Sequence, residues 1–145
     1  MKKVKLLIFA LSLLGSASVY SQIGVTSYSI HAFGVHTSKE RQISGELRAF
    51  FNRDNYTAFE LVAMYNFQGR DFHRFSVGLG FDVHSLSHNV YVEAFVLPVQ
   101  LEIFPLQNFR QLSLVMELAP RWDVDFSDFF EVRHLWGIRY TFSRR

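Results

Sequence analysis

The sequence predicts an all-β fold, a single antiparallel up-and-down β-barrel of the transmembrane kind, and three observations lead to it. Apolar and polar residues alternate along most of the chain, as in Gln42–Asn52, where Leu47 and Phe51 fall on odd positions and Glu46 and Arg48 on even ones. Because successive strand residues point to opposite faces, one face is apolar and the other charged. Most strand candidates have at least the roughly nine to eleven residues that a tilted membrane strand needs, against about five or six in a soluble strand. The third observation is an export signal at the N-terminus.

Residues 1–21 are predicted to be a signal peptide that is cleaved on export. Three lysines among the first five residues precede the apolar run Leu6–Gly15, which is too short to span a bilayer as a helix. The small residues that follow favour cleavage before Gln22; cleavage after Ser18 and an uncleaved anchor are the alternatives. Residues 22–145 are then expected to form one barrel domain.

The composition excludes several other classes of protein. The chain has no cysteine, so neither a lipid-anchored lipoprotein nor a disulfide framework is expected. The net charge is only +2 and the basic residues stand singly within strands, which argues against nucleic acid as a partner. Sixteen Phe, six Tyr and two Trp are typical of the interfacial zones of membrane barrels, although aromatic residues also fill soluble β cores.

Seven strands can be identified from alternation and turn residues, whereas bacterial single-chain barrels have even strand counts. We expect the eighth in Ile23–Ser27, before a bend near Tyr28, or in the connection Asp125–Phe130. The seven predicted strands are Tyr28–Thr37, Gln42–Asn52, Tyr56–Phe67, Phe72–His84, Val90–Phe104, Gln111–Val124 and Glu131–Phe142.

The two faces of these strands are predicted to have opposite surroundings. Apolar rows that include Leu47, Leu79 and Leu101 would face lipid. The opposite faces carry five acids and five arginines, a balance that a closed, ion-paired interior needs because an unpaired buried charge costs several kcal/mol. Solvent-facing sides of an open sheet are the alternative. The predicted lumen charge network consists of Glu46, Arg48, Glu60, Arg74, Asp82, Glu102, Glu117, Arg121, Arg133 and Arg139.

A resemblance to a known family enters at the last predicted strand. Leu135–Phe142 resembles the C-terminal strand of Gram-negative outer-membrane proteins, in which a glycine precedes alternating hydrophobic residues and a near-terminal aromatic. The departure from that pattern is Ser143-Arg144-Arg145, since many members stop at the aromatic. Leu97–Pro105 also resembles a mid-barrel strand of small OmpX-like barrel domains. The positions that match the C-terminal pattern are Gly137, Ile138, Tyr140 and Phe142.

The resemblance implies an eight-stranded barrel in the outer membrane, monomeric or weakly associated and often without catalysis. The C-terminal residues would be the signal that the barrel-assembly machinery recognises. The other expected partners are outer-membrane lipid and lipopolysaccharide, with an unidentified ligand or protein at the surface loops.

One catalytic alternative comes from histidines close to serines. His84 and Ser87, with Glu93 as the acid, could form a hydrolase triad like that of outer-membrane lipid A deacylases, but the local order of residues differs from theirs. No zinc-ligand spacing is evident, so no metal and no cofactor are expected.

The sequence therefore predicts a small, closed, non-catalytic outer-membrane barrel with a structural or surface-binding role. Two alternatives stay open: a lipid-modifying barrel enzyme, and a secreted soluble lipocalin-like barrel with its apolar face inside. Alternation by itself does not separate the membrane barrel from the soluble one.

Overall fold

The computed structural model describes residues 22–51, 57–86, 89–124 and 130–142, with the backbone alone described at 57, 84–86 and 89–91. The predicted signal peptide, residues 1–21, lies outside the described residues. Within the described ranges the chain forms β-strands and one short 3-10 turn, Gln107–Phe109. The strands are β1 Ile23–Tyr28, β2 Ala32–Thr37, β3 Ile43–Phe51, β4 Thr57–Asn66, β5 His73–Leu86, β6 Asn89–Val96, β7 Val99–Ile103, β8 Leu112–Asp123 and β9 Phe130–Thr141.

The strands close into an antiparallel barrel. Apart from β6 and β7, each strand pairs with its neighbour along the chain, and β9 returns to pair with β1, with Gly24 opposite Thr141 and Tyr28 opposite Gly137. Segments β6 and β7 both lie between β5 and β8. They therefore occupy one position, and the barrel has eight positions around its circumference. The predicted all-β, eight-stranded, up-and-down barrel is confirmed.

The interruption between β6 and β7 has a local cause. Pro98 has no backbone N–H and cannot donate to a neighbouring strand. The ladder continues around it, because the Leu97 N–H donates to the Pro120 carbonyl at 2.9 Å and the Pro98 carbonyl accepts from the Gly78 N–H at 2.8 Å. The prediction of one unbroken strand over Val90–Phe104 was wrong in this detail, although β6 and β7 both pair with β5 and β8.

The eighth strand lies where one of the two sequence alternatives placed it. β1 occupies Ile23–Tyr28, and a tight turn at residues 29–31 leads into β2. His31 takes a positive φ of 41° in that turn, a conformation uncommon for a residue other than glycine. The prediction of a single strand over Tyr28–Thr37 was therefore wrong, because it ran through this turn.

The barrel is apolar outside and polar inside. Outward side chains are largely uncovered, with Leu79 67% exposed and Trp136 62% exposed. Charged residues inside are covered, and Arg48 and Glu60 are both 0% exposed. This polarity is that of a transmembrane barrel and the reverse of a soluble one. Among the described residues, no helix is long and apolar enough to cross a membrane.

Aromatic side chains gather near both rims of the outer surface. At the rim where residues 22 and 142 lie, Tyr65 packs edge-on against Phe67, and Tyr140 against Phe142, with ring centroids 5.2 and 5.1 Å apart. At the opposite rim, the rings of Trp122 and Phe130 lie 5.4 Å apart. Aromatic girdles of this kind flank the apolar band of membrane barrels.

Glycines on the inner face make room for neighbouring groups. A Cβ at Gly78 would lie 2.3 Å from the Met64 sulfur and 3.1 Å from Pro98 Cγ. A Cβ at Gly137 would lie 2.4 Å from the Ser27 carbonyl oxygen, across the seam between β1 and β9. A side chain at Gly137 would therefore push apart the strand pair that closes the barrel.

The outward position of Leu79 yields a test of the assigned faces. Leu79 lies opposite Ala63 near the middle of the β4–β5 pair. We expect Leu79→Arg to lower the free energy of unfolding in bilayers by about 2–4 kcal/mol, the midplane range for barrels, as measured by urea titration in lipid vesicles.

The matched control for Leu79→Arg lies on the opposite face of the same strand. Ser76 donates a hydrogen bond to Asn66 Oδ1 at 2.7 Å, so Ser76→Ala should cost only about 0.5–1.5 kcal/mol. A tolerated arginine at position 79 would show that this surface does not lie in lipid.

Candidate functional site

The centre of the barrel is held together by the Arg48 guanidinium. Its Nη1 and Nη2 donate to Glu117 Oε1 and Oε2 at 2.7 and 2.6 Å, a bidentate pair. Nη1 also donates to Glu60 Oε1 at 2.7 Å, and Nε to Glu46 Oε1 at 3.2 Å. All four side chains are fully buried. One cation thus faces three carboxylates, which is stable only if other cations share them.

Two ion pairs in the lumen join strands on opposite walls of the barrel. Counting around the ring, Arg48 on β3 and Glu117 on β8 lie four positions apart, on opposite walls. The same holds for Arg133 on β9 and Glu60 on β4, whose Nη2 and Oε2 atoms are 2.6 Å apart. Side chains from opposite walls therefore meet directly at the barrel axis.

A second cation, Arg139, joins this centre to the end of the barrel that carries residues 22 and 142. Its Nη2 lies 3.2 Å from Glu46 Oε2, and its Nη1 lies 3.4 Å from Glu102 Oε2. Its Nε donates to Thr26 Oγ1 at 2.9 Å. Arg139 is 1% exposed, so these contacts replace the water that its guanidinium loses on burial.

Uncharged side chains complete the network, and sequence reasoning missed them. The Tyr28 hydroxyl donates to Glu46 Oε1. Gln100 donates through Nε2 to Glu117 Oε2 at 2.6 Å, and its Oε1 accepts from Arg139 Nη2 at 3.3 Å. Gln100 and Glu102 lie two positions apart and therefore face the same side of their strand, and this alternation could have identified Gln100 as an inward residue.

Lys39 is a further member that the sequence did not indicate. It lies between the two predicted strands Tyr28–Thr37 and Gln42–Asn52, but it is only 3% exposed and its Nζ lies 3.3 Å from Glu46 Oε2. The turn at 38–42 folds over the barrel mouth and directs this side chain inward. Burial lowers the pKa of the Lys39 ammonium to about 8, while the carboxylate of Glu46 acts in the opposite direction.

At the opposite end, Arg121 is surrounded by carboxylates. Its guanidinium nitrogens lie 2.8 Å from Asp82, 3.2 Å from Glu93, 3.4 Å from Asp123 and 3.9 Å from Glu131. Arg121 is less enclosed than the central residues, with a side chain that is 20% exposed. Acids therefore outnumber cations around this guanidinium.

All ten residues of the predicted lumen set point into the barrel. Seven are at most 5% exposed: Glu46, Arg48, Glu60, Asp82, Glu102, Glu117 and Arg139. The other three side chains lie nearer the ends and are 13–20% exposed: Arg74, Arg121 and Arg133. Chemically, this arrangement pairs charge with charge, although Arg133 Nε and Asp82 Oδ1 have no hydrogen-bond partner among the described residues.

The predicted assembly residues lie along β9 and just beyond it. Ile138 and Phe142 point outward and are about half exposed, and the Phe142 N–H donates to the Ile23 carbonyl at 2.9 Å. Tyr140 lies between them on the same row. Gly137 is on the inner face, where the close approach of Ser27 is by itself a reason for glycine.

The candidate hydrolase residues cannot be compared as a group. Ser87 and the side chain of His84 lie outside the described residues. Glu93 is described, and it contacts Arg121. Within the described part of the chain, no group of three His, Cys, Asp or Glu residues is placed to hold a metal ion.

A solved structure shares the fold. The chain is similar to the N-terminal β-barrel domain of OprF from Pseudomonas aeruginosa, with a TM-score of 0.52 and 12% sequence identity over 84% of this chain and 95% of that one. At this identity the likeness concerns the barrel architecture. No protein-family model and no curated protein matches the chain.

The central position of Arg48 predicts a large effect of its removal. Arg48→Met leaves Glu117 with Arg133 at 3.6 Å as its remaining cation among the described residues, and it removes one of the cations that Glu46 and Glu60 share. We therefore expect a loss of about 3–5 kcal/mol in the free energy of unfolding, measured by urea titration in detergent micelles. Adding Glu117→Met should restore part of that loss, because it removes the buried carboxylate that lost its bidentate partner.

A matched control removes the same charge from the surface. Arg70 is exposed in the β4–β5 connection, and Arg70→Met should change the free energy of unfolding by no more than about 0.5 kcal/mol. Equal effects of Arg48→Met and Arg70→Met would contradict a central role for Arg48.

Proposed function

We propose that this protein is a small outer-membrane β-barrel whose lumen is closed by its own ion pairs and whose role is structural or surface-binding. The observation that carries the proposal is the contact between opposite walls at Arg48–Glu117 and Arg133–Glu60, inside a barrel with an apolar exterior.

The outer surface supports a location in a membrane. Apolar side chains such as Leu47, Leu79 and Trp136 are half or more exposed around the barrel. In water, so continuous an apolar surface would drive association, whereas in lipid it needs no cover. The predicted export signal and the barrel architecture favour the outer membrane, with its lipid and lipopolysaccharide as surroundings.

The interior supports a closed lumen. In an eight-stranded barrel, side chains are long enough to fill the inside. Here Arg48, Glu117 and Gln100 meet at distances of 2.6–2.7 Å and are at most 3% exposed. A hydrated ion would have to break several charge-assisted hydrogen bonds to pass, so we infer no steady conductance.

The closed ring supports a monomer. The β1–β9 pairing leaves no free edge among the described strands, so strand addition from a second chain has no template there. A surface ligand or protein partner would then bind at loops and rims. We further propose that the barrel-assembly machinery is a transient partner that recognises β9.

The described faces argue against a secreted ligand-binding barrel. Such a barrel needs an apolar interior and a polar exterior, and here Glu46 and Arg48 are inside while Leu79 is outside. For the lipid hydrolase, no contact of the described residues favours it over the proposed role.

Fractionation and bilayer recordings test the proposed function together. The protein should remain in the detergent-extracted envelope and migrate on gels in a heat-modifiable way. In planar bilayers it should show no steady conductance of porin size, with a sixteen-stranded porin recorded alongside as the positive control. Release as a free periplasmic protein would overturn the location, and large stable channels would overturn the closed lumen.

The proposed assembly signal predicts a defect in insertion rather than in stability. Phe142 is 52% exposed on the outer surface, so Phe142→Ala removes little buried packing. We expect it to accumulate as degraded periplasmic material in cells, while refolding from urea into detergent stays largely intact. Pulse-chase labelling of folded protein in the envelope measures this.

Two controls separate the signal from general effects at this rim. Phe109 contacts Tyr140 at the same rim, with ring centroids 6.3 Å apart, but it is not on the last strand, so Phe109→Ala should insert normally. Deletion of residues 143–145 should also have little effect. Equal insertion of Phe142→Ala and the parent protein would contradict the hypothesis that the assembly machinery recognises Phe142.

A further inference from the structure

A cavity opens at the end of the barrel where residues 22 and 142 lie. Its volume is about 470 Å³, and its walls come from the turns at 38–42, 67–72 and 104–111 together with Gln22 and Thr141. This volume falls within the range of about 300–1,000 Å³ that is usual for small-molecule sites. The cavity lies beyond the central ion pairs, so it is a mouth of the barrel and not part of the filled lumen.

Three cations line this mouth. Lys39, Arg74 and Arg110 contribute to its walls, against the acids Glu40 and Glu102. Arg74 and Arg110 both pack on the ring of Phe104, with guanidinium carbons 5.4 and 5.1 Å from its centroid. Stacking of this kind fixes a guanidinium plane and leaves its N–H edge available to an oxyanion.

Of the two acids at this mouth, Glu102 is already shared by several donors. Glu102 Oε1 accepts from Ser113 at 2.6 Å, while its Oε2 lies 3.4 Å from both Arg74 and Arg139. The contact of Arg74 with Glu102 is therefore long and uses one of its five donors. Arg110 makes no ion pair with any residue in the described ranges, which leaves its donors for a ligand.

The burial of Lys39 is an independent indication of an anion-binding site in this mouth. Its side chain is 2% exposed, and its Nζ has no hydrogen-bond partner among the described residues. The nearby carboxylate, Glu46, also serves Arg48, Arg139 and Tyr28. A buried ammonium with unused donors at a cavity wall is suited to an anion.

The geometry points to a binding site for a phosphate-class oxyanion in this mouth, held by Arg74 and Arg110 on their shared Phe104 platform and by Lys39. Arginine pairs with phosphate bidentately, and lysine contributes a point charge. The aromatic rim of Tyr65 and Phe67 lies at the same end, so the phosphate could be free or could belong to a lipid headgroup.

Calorimetric titration of the detergent-folded full chain with inorganic phosphate, at constant ionic strength, tests the free-anion source. We expect saturable binding that Arg110→Gln and Arg74→Gln each weaken about tenfold or more, as for loss of a hydrogen bond to a charged group. Arg110 is in a turn outside every described strand, so its replacement should not disturb folding; heat-modifiable migration confirms this for each variant.

Arg70→Gln is the matched control, because it removes one exposed charge from the same end without touching the cavity. It should leave phosphate affinity unchanged. If phosphate does not bind, vesicles of phosphatidylglycerol are compared with vesicles of a digalactosyl diacylglycerol, whose headgroup has no phosphate. Shifts of the Arg74 and Arg110 Nε resonances in the first vesicles alone would support the headgroup source.

Three results would overturn the site. They are the absence of binding in both arms, binding that Arg110→Gln and Arg74→Gln leave unchanged, and equal weakening by Arg70→Gln. None of them bears on conductance or on envelope fractionation, so failure of this inference is distinct from failure of the proposed function.

Discussion

The contact between Arg48 and Glu117 across the lumen is the constraint on which the rest of the barrel depends. It joins opposite walls at 2.6–2.7 Å, so it can form only at the width that eight strands give and at one stagger of β3 relative to β8. A one-residue slip of either strand would turn these charges toward lipid and an apolar row toward the lumen. Such a slip would break the buried ion pairs and would also disrupt the apolar outer surface. The same contact therefore specifies register, closure and the sorting of faces.

The outer and inner surfaces of the barrel are stabilised in different ways. The exterior is stable in lipid because it is apolar, and the interior is stable because its charges meet each other after burial. The pairs of Arg133 with Glu60 and of Arg139 with Glu46 and Glu102 form only when the ring is complete, since both arginines are on β9 while these carboxylates lie on β3, β4 and β7. Closure of the β1–β9 seam and formation of the ionic core are thus coupled. Gly137 lies at that seam, where no larger residue fits beside Ser27.

The sequence predicted the fold and the two faces because a period of two depends only on the strand itself. It predicted less well where the local pattern is short or interrupted. β1 has only six residues, and the positive φ at His31 has no glycine to mark it. Pro98 breaks a ladder that continues through Leu97 and Gly78. Which charges pair could not be predicted, because ring order and stagger bring together Arg48 and Glu117, 69 positions apart. The inward position of Lys39 could not be predicted, because the alternation that assigns strand residues to a face does not extend into a turn.

The central network also limits where this protein can act on anything else. Arg48 pairs with Glu60 and Glu117, and Arg139 pairs with Glu46 and Glu102, so these charged groups in the middle of the barrel already have partners. The two mouths differ from it and from each other. Among the described residues, one has Arg121 in contact with four carboxylates, whereas the other has arginines on an aromatic ring and a buried ammonium. Because the charged groups at the centre already pair with one another, binding of the kind proposed above would have to take place at the two chemically distinct ends.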